Sequence, residues 1–284
     1  MSGSAPTLRA KSMPGLPGAF YDGWVVTLRN LRRMTRIPEM VVFATIQPIM
    51  FVLLFAYVFG GAIPVSGGSG GVNAYREYLL PGVFTQTLAF TTGTTAVGLA
   101  DDLHKGLVDR FRSLPMARSA VLLGRTVADW IQNIFVLFIM AVCGVLVGWR
   151  IHDGVAKAIG AFALLMLFAY AMSWIGAVIG LSVRTPETAN TAGFIWLFPV
   201  TFLSNAFVPT SSLPSWLQPV AEWNPISSTV LALRQLFGNP TGYEHGLPDV
   251  FPMQHPILTS FAWSVLILAV FVPIAVRKYR SVST

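Results

Sequence analysis

The sequence predicts an all-α integral membrane protein. Six transmembrane helices are expected, with an N-terminal amphipathic helix in the interface, a short charged cytoplasmic helix and short re-entrant helices on the outer side. Three observations carry that expectation. The 284 residues are 54% hydrophobic and only 11% charged, where a soluble domain carries about 25% charged residues. Six apolar runs approach the ~20 residues that a helix needs to cross ~30 Å of hydrocarbon. Lys and Arg are spread very unevenly over the segments between those runs.

Residues 1–19, rich in Ser, Pro and Gly, read as a disordered lead. The first forty residues lack the apolar core and small-residue cleavage site of a signal peptide, so none is expected to be cleaved. Residues 20–284 form one transmembrane domain. Within Phe20 to Arg36, Phe20, Trp24, Leu28 and Leu31 fall on one helical face, and Arg29, Arg32, Arg33 and Arg36 cover much of the rest. That pattern predicts a helix lying in the membrane interface, arginines toward anionic headgroups. A basic juxtamembrane leader is the plainer alternative.

The spans are expected at about 40–60, 81–100, 124–148, 158–182, 190–208 and 257–276. Pro199 interrupts the fifth and Pro209 ends it. Between the second and third, Asp101 to Arg118 is a long charged stretch. Its Leu103, Leu107, Phe111 and Leu114 recur at helical spacing, and Pro115 stops the helix. Asp101 with Lys105, and Lys105 with Asp109, are spaced to pair, each pair worth only about 0.2–0.5 kcal/mol. Such a helix, tethered to two spans and bearing no catalytic group, reads as a handle that another protein grips. After the fifth span, Leu213, Trp216, Leu217, Val220 and Trp223 make a helical face too short to cross. It predicts a re-entrant or interfacial helix with tryptophans at headgroup level, or else a surface helix.

With the N-terminus cytoplasmic, 15 of the 19 Lys and Arg fall on inner segments, leaving Arg76, Arg150, Lys157 and Arg234 outside. Both termini and the Asp101 to Arg118 handle then face the cytoplasm. The formal charge of +7 is accounted for by that face, and no nucleic-acid partner is expected. Outer residues 60–73 are flexible by composition.

Catalytic chemistry is sparse. No Gly-x-x-x-x-Gly-Lys-Ser/Thr cradle is present, and Lys105 follows DDLH. His245 and His255, with Glu244 and Asp249, match no metal-ligand spacing, so neither a catalytic site nor a metal is expected. The single Cys143 reads as a packing residue. Asp129 sits four residues after Arg125 near the start of the third span. A structural ion pair is expected there, proton coupling being the sharper reading of an intramembrane acid. The second span is crowded with Thr85, Gln86, Thr87, Thr91, Thr92, Thr94 and Thr95, of which Thr87, Thr91, Thr94 and Thr95 share a face. Thr201, Ser204 and Asn205 mark the fifth. These groups serve either helix packing or the wall of a solute route. Gly144 and Gly148, and Gly176 and Gly180, are spaced for close helix contacts. A chain with spans and a grip, and without fuel of its own, reads as a subunit that moves something while a partner supplies the work.

YLLPGVFTQT (78–87), GLADDLHKGLVDRFRSLPMARSAVLLGRTVAD (98–129), FVPTSSLPSWLQPVAEWNPIS (207–227) and ALRQLFGNP (232–240) resemble the ABC transporter type-2 permeases, specifically the daunorubicin/doxorubicin-resistance exporter membrane subunits. The likeness runs over about residues 20–280, and Gly-x-x-Asp-Arg-x-Arg-Ser-x-Pro, Gly106 to Pro115, is its most specific motif. The resemblance implies a six-span half-transporter in the bacterial cell (inner) membrane. It would dimerise with an identical or different permease and join two copies of a separate ABC ATP-binding subunit. ATP and Mg would lie on that partner and no cofactor on this chain. It further implies that Gly106, Leu107, Asp109, Arg110, Phe111, Arg112, Leu114 and Pro115 form the coupling helix seated in the partner. The leader with Trp24, Leu28, Arg29, Arg32 and Arg33 would lie along the membrane and touch the partner as well. Thr87, Thr91, Thr94, Thr95, Thr201, Ser204 and Asn205 would face the dimer axis as the substrate pathway, and the outer short helices would cap the exit. Cargo would be a drug, lipid or glycolipid moved outward. Where many relatives place a glutamate ahead of the coupling-helix glycine this chain has Leu103, His104 and Lys105, so contacts of that acid do not carry over. The alternatives are a type-2 permease for a polysaccharide or cell-wall polymer precursor, disfavoured by the uncharged Thr-rich wall, and a non-transport membrane protein, disfavoured by the lack of converging reactive groups.

Overall fold

The computed structural model describes residue 27 and residues 38–59, 72–105, 118–243 and 246–282. All regular structure among them is helical, which is the expected class. Helix α1 (Pro38–Leu54) runs into a π-helical stretch, Phe55–Phe59; α2 spans Val72–His104, α3 Arg118–Val147, α4 Val155–Gly180 and α5 Pro186–Phe202. Then come three short helices, α6 (Gln218–Glu222), α7 (Pro225–Phe237) and α8 (Phe251–Gln254), before α9 (Pro256–Val282). The expected lead 1–19, the leader helix with Trp24, Leu28, Arg29, Arg32 and Arg33, and the stretch Gly106 to Pro115 lie outside the described residues. Thr27 is described: its hydroxyl donates to the Gly124 carbonyl at 3.1 Å, beside the beginning of α3.

Helix α2 packs most extensively against α4 and α5. Gly176 and Gly180 make the α2–α4 contact possible. A Cβ at either would collide with the carbonyl oxygen of Thr92 or Ala96, so the helices approach at backbone distance, as the spacing predicted. Gly82 plays the same part for the chain after α5, where a Cβ would meet the Ala206 carbonyl. Gly144 faces Leu80. Gly148 differs from expectation: it adopts φ 110° just past α3, and Trp149 N–H bonds back to Gly144 O at 2.9 Å, so it closes the helix.

By length and composition, Leu122–Val147, Val155–Gly180 and Pro256–Tyr279 are long and apolar enough to cross a membrane. The first and third are largely unburied within the chain. Their bare faces carry residues such as Phe135, Phe138, Leu146, Val265 and Leu266, a surface made for lipid or another subunit. The fifth apolar run ends earlier than its composition predicts. α5 stops at Phe202 because Asn224 Nδ2 donates to the Val200 and Leu203 carbonyls at 2.6 and 3.0 Å, occupying the acceptors of its last turn.

Leu213 to Trp223 does not form one helix. Pro214 and Pro219 lack the N–H groups that a continuous ladder needs. Leu213 is extended, Pro214–Leu217 is a turn closed at 2.8 Å, and only Gln218–Glu222 is helical. Trp216, Val220 and Trp223 are nevertheless exposed together. The same Asn224 that clasps α5 caps α7, its Oδ1 accepting from Ile226 N–H at 2.8 Å, with Pro225 at the first helical position and Gly238 in αL at the end. Helices α6, α7 and α8 thus gather at the end of the bundle where α2 starts and α3 finishes.

Candidate functional site

Polar side chains from three helices converge on one cavity midway along the bundle. Helix α3 presents Asp129, Gln132 and Asn133 at three- and four-residue spacing, which puts them on one face. Helix α2 presents Gln86, Thr87, Thr91 and Thr94 across from them, α1 adds Gln47, Pro48 and Phe51, and α5 adds Phe194. The cavity between these groups measures about 160 Å3.

Charge at its edge is matched internally. Arg125 Nε lies 3.3 Å from Asp129 Oδ1, and Nη1 lies 3.6 Å from Asp102 Oδ2. Buried Thr95 donates to Asp129 Oδ2 at 2.8 Å. The carboxylate therefore meets a guanidinium and a hydroxyl while it borders the cavity.

The threonines divide by task. Thr92 donates across to Met172 O on α4 at 3.2 Å and is a packing group. Thr85 bonds back to Pro81 O at 2.8 Å, closing a carbonyl near the helix proline. Thr91 donates to Leu88 O at 2.6 Å and accepts from Asn133 Nδ2 at 3.3 Å; Thr94 donates to Thr91 O at 2.8 Å. Thr87, Thr91 and Thr94 border the cavity, whereas Thr95 is fully buried against Asp129. Lys105 pairs with Asp101 at 2.7 Å at the end of α2.

Thr201, Ser204 and Asn205 do not join this cavity. They are buried at the end of α5, where the Asn205 carbonyl accepts from Tyr78 Oη at 3.1 Å and from Arg234 Nη2 at 2.9 Å. Arg234 is the centre of that second cluster. It is fully buried on α7, its Nε donates to Tyr78 O at 2.9 Å, its Nη2 reaches Ala206 O at 3.2 Å, and its guanidinium lies 3.5 Å from the centre of the Tyr78 ring. Burial pushes its pKa down, offset by Tyr78, yet a guanidinium remains charged. The eight coupling-motif residues and five leader residues named from the sequence lie outside the described residues.

Three features of the cavity escaped the sequence reading. Gln47 and Phe51 sit in the first apolar run with no periodic partner. Gln132 and Asn133 had a usable signal, being polar within a span and in register with Asp129. A chain of phenylalanine rings had none, because it is assembled from separate segments. Phe90 contacts Phe194 and Phe198 at 5.7 and 5.5 Å, Phe198 stacks on Phe202 at 5.9 Å, and Phe207 bridges Phe202 to Phe55 at 5.8 and 4.9 Å.

Comparison with known proteins gives a consistent result. The ABC-2 type transporter family matches residues 21–237. The chain is 32% identical over 253 residues to the daunorubicin resistance ABC transporter permease protein DrrB1 of Streptomyces coeruleorubidus, covering 89% of this chain and 84% of that one. It is 27% identical over 262 residues to the probable doxorubicin resistance ABC transporter permease protein DrrC of Mycobacterium tuberculosis, covering 91% and 88%. With the doxorubicin resistance permease DrrB of the same organism it shares 30% over 227 residues, 78% and 77% of the two chains.

Proposed function

The chain belongs to the ABC-2 type transporter family, and from that premise we propose that it exports a hydrophobic or amphipathic molecule, a drug, lipid or glycolipid, outward across a bacterial cell membrane. It is a membrane permease subunit, and permeases of this family work with an ABC ATP-binding subunit in a transporter complex. The observation that carries the cargo class is the cavity. Amides and hydroxyls meet phenylalanines in one recess of a chain whose outer faces are bare hydrocarbon, the pairing that an amphipathic solute needs. The printed names of the relatives, daunorubicin and doxorubicin resistance permeases, agree with it.

In this reading six spans cross the membrane, α1 to α5 and α9, with both termini cytoplasmic. Two permeases, identical or different, pair with two ATP-binding subunits, and ATP and Mg stay on those partners. In this reading catalysis is left to those partners; among the described residues no group of three or more His, Cys, Asp or Glu could hold a metal. Gly106 to Pro115 is the coupling helix seated in the partner. The leader carrying Trp24, Leu28, Arg29, Arg32 and Arg33 lies in the inner interface. The exposed Trp216 and Trp223 rest at the outer headgroup level, beside re-entrant α6 and α7. ATP binding and hydrolysis close the partner pair, the coupling helix moves with it, and the spans exchange an inward-open for an outward-open arrangement.

Phe111→Ala and Arg110→Ala test the grip. In vesicles holding the permease and its ATP-binding partner, each is expected to lower ATP-driven dye efflux by about tenfold, in the range of ordinary site-to-site coupling, while ATPase activity and membrane insertion persist. Unchanged efflux in both variants contradicts the proposal.

A further inference from the structure

We propose that the cavity of α1, α2 and α3 is a headgroup niche that selects an uncharged hydrogen-bonding group, with Gln86 as the residue that reads it and the phenylalanine chain receiving the apolar body. The inference rests on the exporter reading and narrows its cargo. Gln86 is only 5% exposed, and no hydrogen bond of its amide is found among the described residues; it borders the cavity. An amide that borders a cavity inside the bundle without a hydrogen-bond partner has unmet donors and an unmet acceptor, so a polar atom is expected to enter the cavity and meet it. Gln132 from α3 and Gln47 from α1 border the same space.

Size and charge define what fits. At about 160 Å3 the niche is smaller than the roughly 300–1,000 Å3 of pockets that enclose a whole drug-sized ligand. It therefore takes one polar end while the remainder lies outside. Asp129 already faces Arg125 and Thr95, so an entering cation would compete with a guanidinium and an entering anion would meet a carboxylate. Amides donate and accept together, which matches a hydroxyl, carbonyl or amide headgroup that needs both without adding charge to the membrane interior. Phe51, Phe90 and Phe194 at the rim continue through Phe198 and Phe202 to Phe207, with Phe198 and Phe202 exposed. A flat or aliphatic body anchored by its head in the niche lies along those rings toward the α6–α8 end.

The test is direct binding to the full chain in lipid nanodiscs. Three probes share one body and differ at the head: 4-(1-pyrenyl)butanamide, 4-(1-pyrenyl)butylammonium and 4-(1-pyrenyl)butanoate, read by energy transfer from tryptophan. Wild type is expected to bind the amide tightest, and Gln86→Leu to weaken the amide alone by about five- to tenfold, one hydrogen bond's worth. Gln132→Leu, less buried, gives a second reading should Gln86→Leu fold poorly, with the same selective loss expected. Equal affinity for the three heads in wild type, preference for a charged head, or unchanged amide binding in the folded variants overturns the inference. Binding needs no ATP-binding partner, so the two readings fail separately. Absent ATP-driven transport by wild type would sink the exporter reading with the niche intact. Transport without head selectivity would sink the niche alone.

Discussion

Arg234 holds a positive charge with no carboxylate in contact among the described residues, and its position is set by three backbone carbonyls and one aromatic face. It ties α7 to α2 and to the turn after α5. Arg234→Met is expected to lower stability by about 3 kcal/mol, because several buried acceptors lose their donor at once. Arg234→Lys should recover only part of that, since an ammonium cannot span three carbonyls. Denaturant unfolding in detergent measures both, and a loss below about 1 kcal/mol for the Met variant would show the clasp to be incidental. This residue was illegible in the sequence. Arg150 and Arg234 counted alike as outer cations, yet Arg150 is exposed and bonds to Val145 O and Trp149 O nearby, while Arg234 is enclosed by Tyr78 and Asn205, far away in the chain. The Asp129–Arg125 pair was legible because a four-residue step is local.

At the scale of elements, the α2–α4 contact is glycine-mediated. Gly176→Leu should cost about 1–3 kcal/mol or more by overpacking, since the atom in its way is backbone. Gly160, on the same helix but facing open space, should accept Ala at no cost or a small gain in helix propensity. Thermal unfolding of the two variants side by side distinguishes a specific α2–α4 contact from a general intolerance of α4 to larger residues. Apolar run length located the helices because it records what must avoid water. It misjudged the end of α5 because the stop is Asn224, a side chain from the next element. It also passed over α7, although Asn224-Pro225 and Gly238 bracket that helix as start and stop signals. The reading of Leu213 to Trp223 as one helix weighed apolar periodicity above Pro214 and Pro219, and the missing N–H groups decided otherwise.

At the scale of the molecule, the bare apolar faces, the polar cavity and the family are what the proposed reading of a subunit driven by a separate partner is built on. The niche was half legible: its Thr face and Asp129 could be read along single helices, but its amides and rings come from four segments that only the tertiary fold assembles. The account turns on the source of work. The direct measurement is ATP-driven accumulation of a fluorescent amphiphile in sealed vesicles containing this chain, with and without its proposed ABC ATP-binding subunit. Accumulation that requires both the partner and hydrolysable ATP is the predicted result. Pumping by the chain alone, or by the pair at an undiminished rate with a non-hydrolysable nucleotide, would contradict it.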